Sequence, residues 1–143
     1  MGIRGETAMK ALTICQPYAE MIAAGEKLIE NRTWPTAYRG PLVIHAGKSR
    51  AWLEDGDEVE RPGMAFGAVV AIARLVDCLR VEQVPQRFLD DHDQHHHANG
   101  PWCWILADVE RVSPIPLSGA RGLWELPADV AVGRPAWAQE RQG

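Results

Sequence analysis

Glu30, Arg32 and Trp34 alternate along the stretch Gly25-Glu26-Lys27-Leu28-Ile29-Glu30-Asn31-Arg32-Thr33-Trp34-Pro35. In an extended strand alternate side chains share a face, so the spacing predicts that these three project together, roughly 7 Å between successive members. Leu28 opens the same row, and Ile29 heads the opposite one. A half-buried strand ordinarily fills its inward row with apolar side chains. An acid, a base and an indole in that row predict a pocket instead. The chemistry on offer is recognition of a flat, polar ligand. A carboxylate can fix a guanidinium and leave donors for a phosphate or a base carbonyl. An indole face can stack a nucleobase, and Glu30 can accept from an exocyclic amine. Lys27 reads as a helix-end cation, as a phosphate contact, or as a desolvated lysine acting as a base.

Further along, His45, Lys48 and Ser49 fall at a predicted strand-to-helix turn, where backbone amides assisted by Lys48 suit an anion. His92, His95, His96 and His97 invite comparison with a metal site, and His92 and His96 would share a helix face. Their polar, Asp- and Gly-rich surroundings predict a mobile loop over Asp91–Gly100 without a fixed outer shell, so no metal and no cofactor is assigned. Trp102, Trp104 and Trp124 are read as core.

The elements that must position these groups follow from pattern and punctuation. Ala11–Ile14 is a short apolar strand, and Gln16-Pro17 opens a helix with Tyr18, Met21 and Ile22 as its stripe and Gly25 as its stop. The strand of the opening motif runs to Pro35, and Leu42–His45 is a buried strand. Ser49 caps a predicted short helix through Leu53, and Glu54–Glu58 is an acidic surface loop. Gly67–Val76 is the strongest strand, Val81–Asp91 is weakly helical, and Trp102–Leu106 is a strand with both tryptophans on one face. Val112–Leu117, with two prolines, suits an edge strand, and Gly122–Leu126 a last short one. This predicts an α+β domain: a small β-barrel of about five or six strands with two to three packed helices. Residues 1–8 read as a loose leader with Met9 an alternative start, 9–126 as the domain, and 127–143 as a tail expected to order incompletely.

A chain of 143 residues suffices for one domain with a real core. Its net charge of −4 argues against broad coating of duplex DNA, which needs many phosphate contacts. Charge is nonetheless unevenly placed. Lys27, Arg32, Arg39, Lys48 and Arg50 face a single acid, Glu30, between positions 27 and 50, whereas Glu54–Glu60 holds five acids and no base. That is the pattern of a local anion site. Three dispersed cysteines without a CxxC pair fit a reducing cytoplasm. No apolar run approaches the ~20 residues of a membrane span.

Gly25-x-Lys27-x-x-Glu30-x-Arg32 resembles the G-x-K-x-x-E-x-R signature of the ASCH domain family. Leu12-Thr13-Ile14-Cys15-Gln16-Pro17-Tyr18-Ala19 before it and Gly40-Pro41-Leu42-Val43-Ile44-His45-Ala46-Gly47-Lys48 after it extend the likeness over roughly Met9–Leu126. The resemblance implies a barrel related to the pseudouridine-synthase-and-archaeosine-transglycosylase (PUA) fold, with a cleft beside the motif that accepts nucleic acid or a modified base. The expected function is binding of RNA, single-stranded nucleic acid or a modified nucleoside by a monomer, through Lys27, Glu30, Arg32, Trp34, His45, Lys48 and Ser49. The alternative is a small hydrolase in the same cleft, either a ribonuclease or an amidohydrolase on N4-acetylcytidine, with Lys27 as base and Glu30 orienting water. In the family's amidohydrolases a threonine, the proposed nucleophile, stands where this chain has Glu30, which counts against that activity. Thr33, on the face opposite Glu30 by alternation, is a poor substitute.

Overall fold

Ala68–Leu75 is an almost unbroken apolar run, the pattern of a strand covered on both faces. In the computed structural model, which describes residues 9–133, 135 and 137, it forms the first half of β4 (Ala68–Arg80), paired antiparallel with the longest strand, β5 (Trp102–Pro116). Around this pair stand β1 (Lys10–Ile14), β2 (Ile29–Arg32), β3 (Gly40–Ala46) and β6 (Leu123–Glu125), in the order β2-β5-β4-β3-β1-β6. β1 and β3 are parallel; every other pairing is antiparallel. Register shifts at three places along β4–β5 and one in β3 mark bulges, which bend a strand and sharpen its twist. The sheet curls into a half-barrel with three helices of four residues or more among the described residues, α1 (Tyr18–Ala23), α2 (Asp57–Glu60) and α3 (Gln86–His92).

Alternation divides the core between the two faces of the sheet. Leu12, Ile14, Leu42, Ile44, Trp104 and Leu106 pack on one face beneath α1, while Ala11, Val43, Val69 and Ile72 form a second cluster. Val130, Val132 and Trp137 of the tail pack against that second cluster. Ile29 heads a third cluster with Val84, Cys103 and Ile105. The leader, residues 1–8, and tail residues 134, 136 and 138–143 lie outside the described residues.

The strand and helix expectations hold in outline, with corrections that matter for the site. β2 ends at Arg32, short of Pro35, so the alternation rule stops before Trp34. Pro17 sits one position ahead of the first helical residue, and the Gln16 side chain caps the helix by accepting from the Glu20 amide at 2.8 Å. Ser49 starts no helix. Its hydroxyl accepts from the Ala51 amide at 3.1 Å within a turn, and α2 begins only at Asp57, inside the acidic loop. The two-proline segment is the far half of β5, where β2 no longer pairs with it, so its outer side is an edge.

The largest departure concerns the segment 91–100, expected to be mobile. α3 ends at His92, Asp93 adopts a left-handed backbone with φ +54°, and His95–His97 form a 3-10 turn. Gln94 is buried and pins the segment to the chain ahead of β2. Its Oε1 accepts from the Leu28 amide at 2.8 Å, while its Nε2 donates to the Glu26 carbonyl at 3.0 Å and the His92 carbonyl at 2.8 Å. Replacing Gln94 by alanine leaves a buried amide and two carbonyls without that partner. Gln94→Ala is therefore expected to lower unfolding free energy by ~1–3 kcal/mol, with faster amide hydrogen exchange concentrated in 95–100. Unchanged exchange there would show that the segment is held by other contacts.

Candidate functional site

Gly25 explains how the motif places its lysine. With φ +82° it ends α1 in a Schellman arrangement, its amide donating to the Ile22 carbonyl (2.9 Å) and that of Glu26 to the Met21 carbonyl (2.9 Å). The chain then turns straight into β2, and Lys27 is carried under the sheet's edge instead of out to solvent. Its ammonium lies 5.6 Å above the Tyr18 ring and donates to the Ile29 carbonyl. Lys27 is thus buried within the cleft lining, the desolvated placement among its sequence readings and not that of a solvated helix-end cation. Burial pushes its pKa down, against the pull of Glu30.

Glu30 and Arg32 do share a face, opposite Trp104 and Trp102 of β5 in the register. The Arg32 Nε donates to Glu30 Oε2 at 3.1 Å, and Nη2 lies 3.1 Å from the same oxygen. Nη2 also donates to the Thr13 carbonyl at 2.8 Å. Burial drives the Glu30 carboxyl upward in pKa, opposed by Arg32 and Lys27. Only Oε2 is held by Arg32; among the described residues Oε1 has no hydrogen-bond partner and is not occluded.

These groups line a cleft of about 870 Å³, inside the ~300–1,000 Å³ range of small-ligand sites. Lys27, Glu30, Arg32, Trp34, Lys48 and Ser49 all border it. Trp34 reaches it from beyond the strand end. Its ring meets Trp104 edge-on (centroids 4.9 Å apart, 89° between planes), and its carbonyl accepts from Trp104 Nε1 at 3.2 Å. Thr33 also borders the cleft, because the alternation that would turn it away ends at Arg32.

His45 is the exception. It is buried outside this cleft, with both ring nitrogens engaged: Nε2 donates to the Leu117 carbonyl at 2.6 Å, and Nδ1 accepts from the Thr13 hydroxyl at 3.0 Å. The Thr13 hydroxyl in turn accepts from Trp124 Nε1 at 3.2 Å, so His45 is a structural link. Two of the five cations are also occupied elsewhere, Arg39 by Asp77 at 3.4 Å and Arg50 by Glu58 at 2.6 Å.

Several cleft residues escape a reading of the sequence. Trp52, 61% exposed, offers an aromatic surface from the turn after β3. Cys15, Tyr18, Asn31 and His97 complete the walls. Asn31 holds the far wall in place: its side chain donates to the His97 carbonyl (2.9 Å) and accepts from the Asn99 (3.0 Å) and Gly100 (2.8 Å) amides. Nothing local marks Trp52, and His97, noted only within its histidine run, likewise reaches the cleft through tertiary placement. The histidines divide among separate partners: His92 against the Phe88 ring, His95 on Asp90 at 2.6 Å, His96 against His97. His92 and His96 do not share a helix face, because α3 stops at His92. No group of three or more His, Cys, Asp or Glu suited to a metal occurs among the described residues.

The ASCH domain model matches residues 12–116. The chain belongs to the ASCH domain family. The family is associated with RNA binding. This ASCH chain is 26% identical over 136 residues to activating signal cointegrator 1 of Homo sapiens, and equally so to that of Mus musculus, covering 85% of this chain and 23% of each relative. The chain therefore spans about a quarter of the length of these curated relatives. Among solved structures, ASCH from Zymomonas mobilis aligns with TM-score 0.51 at 16% identity, over 85% of this chain and 90% of that one. Two substituted forms of the same protein align at 0.51 and 0.52 with 15% identity. At such identity the likeness concerns the fold, the small α+β barrel described above. No helix among the described residues is long and apolar enough to cross a membrane.

One electrostatic consequence of the far wall is open to measurement. Burial, together with Lys27 and His96, lowers the His97 pKa from 6.5 to about 4. A lowered folded-state pKa means that, between those values, the unfolded chain binds a proton the folded one does not. Stability from this group is complete above pH 6.5 and declines as pH falls toward about 4. Urea midpoints recorded across that window should fall more steeply for the wild type than for His97→Gln. Parallel curves would remove His97 from the account.

Proposed function

We propose that the cleft binds a single base of RNA or single-stranded nucleic acid, together with its adjoining phosphate. The observation that carries this reading is the union, in one cavity, of a half-engaged carboxylate, unpaired positive charge and accessible aromatic surface. Glu30 Oε1 is available to accept from an exocyclic amine, as on cytosine or adenine. Trp52 and Trp34 border the space in which a base would stack, and splayed single-stranded bases are read by this combination of stacking and edge hydrogen bonds. Lys48, with no ion pair among the described residues, supplies the phosphate contact. The family's association with RNA binding agrees. A modified base fits the same logic, with its substituent directed into the cavity.

Binding of a short cytidine-containing RNA, followed by fluorescence anisotropy over a range of salt, tests the reading. Trp52→Ala is expected to cost ~1–3 kcal/mol, the weight of one base–aromatic stack. Lys48→Ala is expected to make the slope of log affinity against log salt shallower by about 0.7, one single-strand phosphate contact. Absence of binding, or binding indifferent to both changes, would refute it.

One observation favours a hydrolytic second reading. Lys27 and Glu30 lie near each other with pKa values displaced in opposite senses by burial, as acid–base pairs in active sites are. Against it, the Thr13 hydroxyl is committed to His45 and Trp124. A carboxylate at position 30 is also a poor acyl acceptor, which leaves water or the Thr33 hydroxyl on the cleft wall as nucleophile. Purified protein incubated with N4-acetylcytidine is expected to release no acetate. Turnover that disappears in Lys27→Ala, with base binding retained, would reverse the order of the two readings.

A further inference from the structure

Beside the main cleft lies a second concavity of about 400 Å³, in the loop between β5 and β6. Thr13, Gly47 and Lys48 border both, so the two adjoin at Lys48. The far side is formed by Ser118, Gly119 and Arg121. Arg121 is exposed and, like Lys48, has no ion pair among the described residues. No carboxylate is among the described residues bordering this concavity.

The loop is built in, not draped over the surface. His45 donates to the Leu117 carbonyl at its start. Gly119 is pressed so close to the barrel that a Cβ there would come within 2.5 Å of Thr13 Oγ1 and 2.7 Å of the His45 ring. Lys48 is exposed, but its course is defined. Its stem lies across Gly67 (φ +65°), where a Cβ would approach its Cε to 3.0 Å. Lys48 and Arg121 thus border one trough, on a protein whose net charge is −4.

We propose that this trough carries the next nucleotide of a bound strand, with Lys48 on the phosphate between the two nucleotides and Arg121 on the phosphate beyond. The proposal rests on the reading of the main cleft as a base site and deepens it: the ligand class becomes an oligonucleotide, not a free nucleoside. An arginine fork suits the far position because its donors match phosphate oxygens in pairs. The Ser118–Gly119 backbone and the Thr13–His45 contact form the floor beneath the strand.

The test compares a labelled cytidine hexanucleotide with free cytidine, on wild type, Arg121→Ala and Trp52→Ala. The wild type should bind the hexanucleotide more tightly than cytidine. Arg121→Ala should weaken hexanucleotide binding roughly two- to fivefold, as for an exposed ion pair. It should also make the salt slope shallower by about 0.7 and leave cytidine affinity unchanged. A hexanucleotide affinity and slope identical to wild type would overturn the proposal, while losses in Trp52→Ala would leave the cleft reading standing. No binding of either ligand by the wild type would refute the cleft reading, and the proposal with it. Polyglutamate bound as tightly as the hexanucleotide would also overturn it, since any anionic chain would then do.

Discussion

Arg32 holds the open side of the half-barrel together. β2 is one edge of the sheet and β1 lies four strands away in the order, so no ladder hydrogen bond joins them. The Arg32 guanidinium spans that gap, donating to Glu30 on its own strand and to the Thr13 carbonyl on β1. The cleft is the space this bridge leaves. Removing either member of a fully buried charge pair typically costs ~3–5 kcal/mol, because the survivor is left uncompensated; here partial exposure of Arg32 moderates the figure. Arg32 is therefore as much a structural tie as a ligand donor, and truncating it would widen the cleft while weakening it.

Thr13 is the hub on the other shore. Its carbonyl takes Arg32, and its hydroxyl receives Trp124 and donates to His45, which reaches on to Leu117. Through this chain the ends of β1, β3 and β6 and the start of the last loop are set relative to β2. The Thr13 hydroxyl, His45 and Trp124 each have their polar side-chain atoms engaged, the condition under which a buried polar network fixes one arrangement. Fold and site are coupled at this point: the residues that close the barrel also line the two concavities.

Much of this was legible in the sequence, and the failures have physical causes. The pairing of Glu30 with Arg32 followed from strand alternation, and the strands themselves from apolar runs punctuated by Gly and Pro. Trp34 reached the cleft although the strand rule behind its placement ended two residues earlier. Among the readings open for Lys27, burial matches that of a desolvated lysine, because the Gly25 stop aims the chain inward. The segment 91–100 looked mobile by composition. A single glutamine, Gln94, three of whose hydrogen bonds tie it to Glu26, Leu28 and His92, overrides that composition. Trp52 carried no periodic signal at all, since an exposed aromatic in a turn acquires meaning only from what it faces.

On the proposed base-binding reading, the cleft's selectivity follows from how its charges are divided. Of the five cations clustered in the sequence, Arg39 and Arg50 are neutralised by Asp77 and Glu58, and Lys27 is buried on a carbonyl. What faces a ligand is Lys48, the remaining donor capacity of Arg32, and one oxygen of Glu30. Such a site has too little positive charge to hold a strand by electrostatics alone, so base contacts must supply the rest. A ligand amine on Glu30 Oε1 would favour the ionised carboxylate that burial disfavours, drawing its pKa back down. A base offering only a carbonyl on that edge would meet the lone pairs of the ionised carboxylate and gain a hydrogen bond only if Glu30 took up a proton. On that reading it is the ionised form, held by Arg32 and Lys27 against the pull of burial, that would favour amine-bearing bases over those without one.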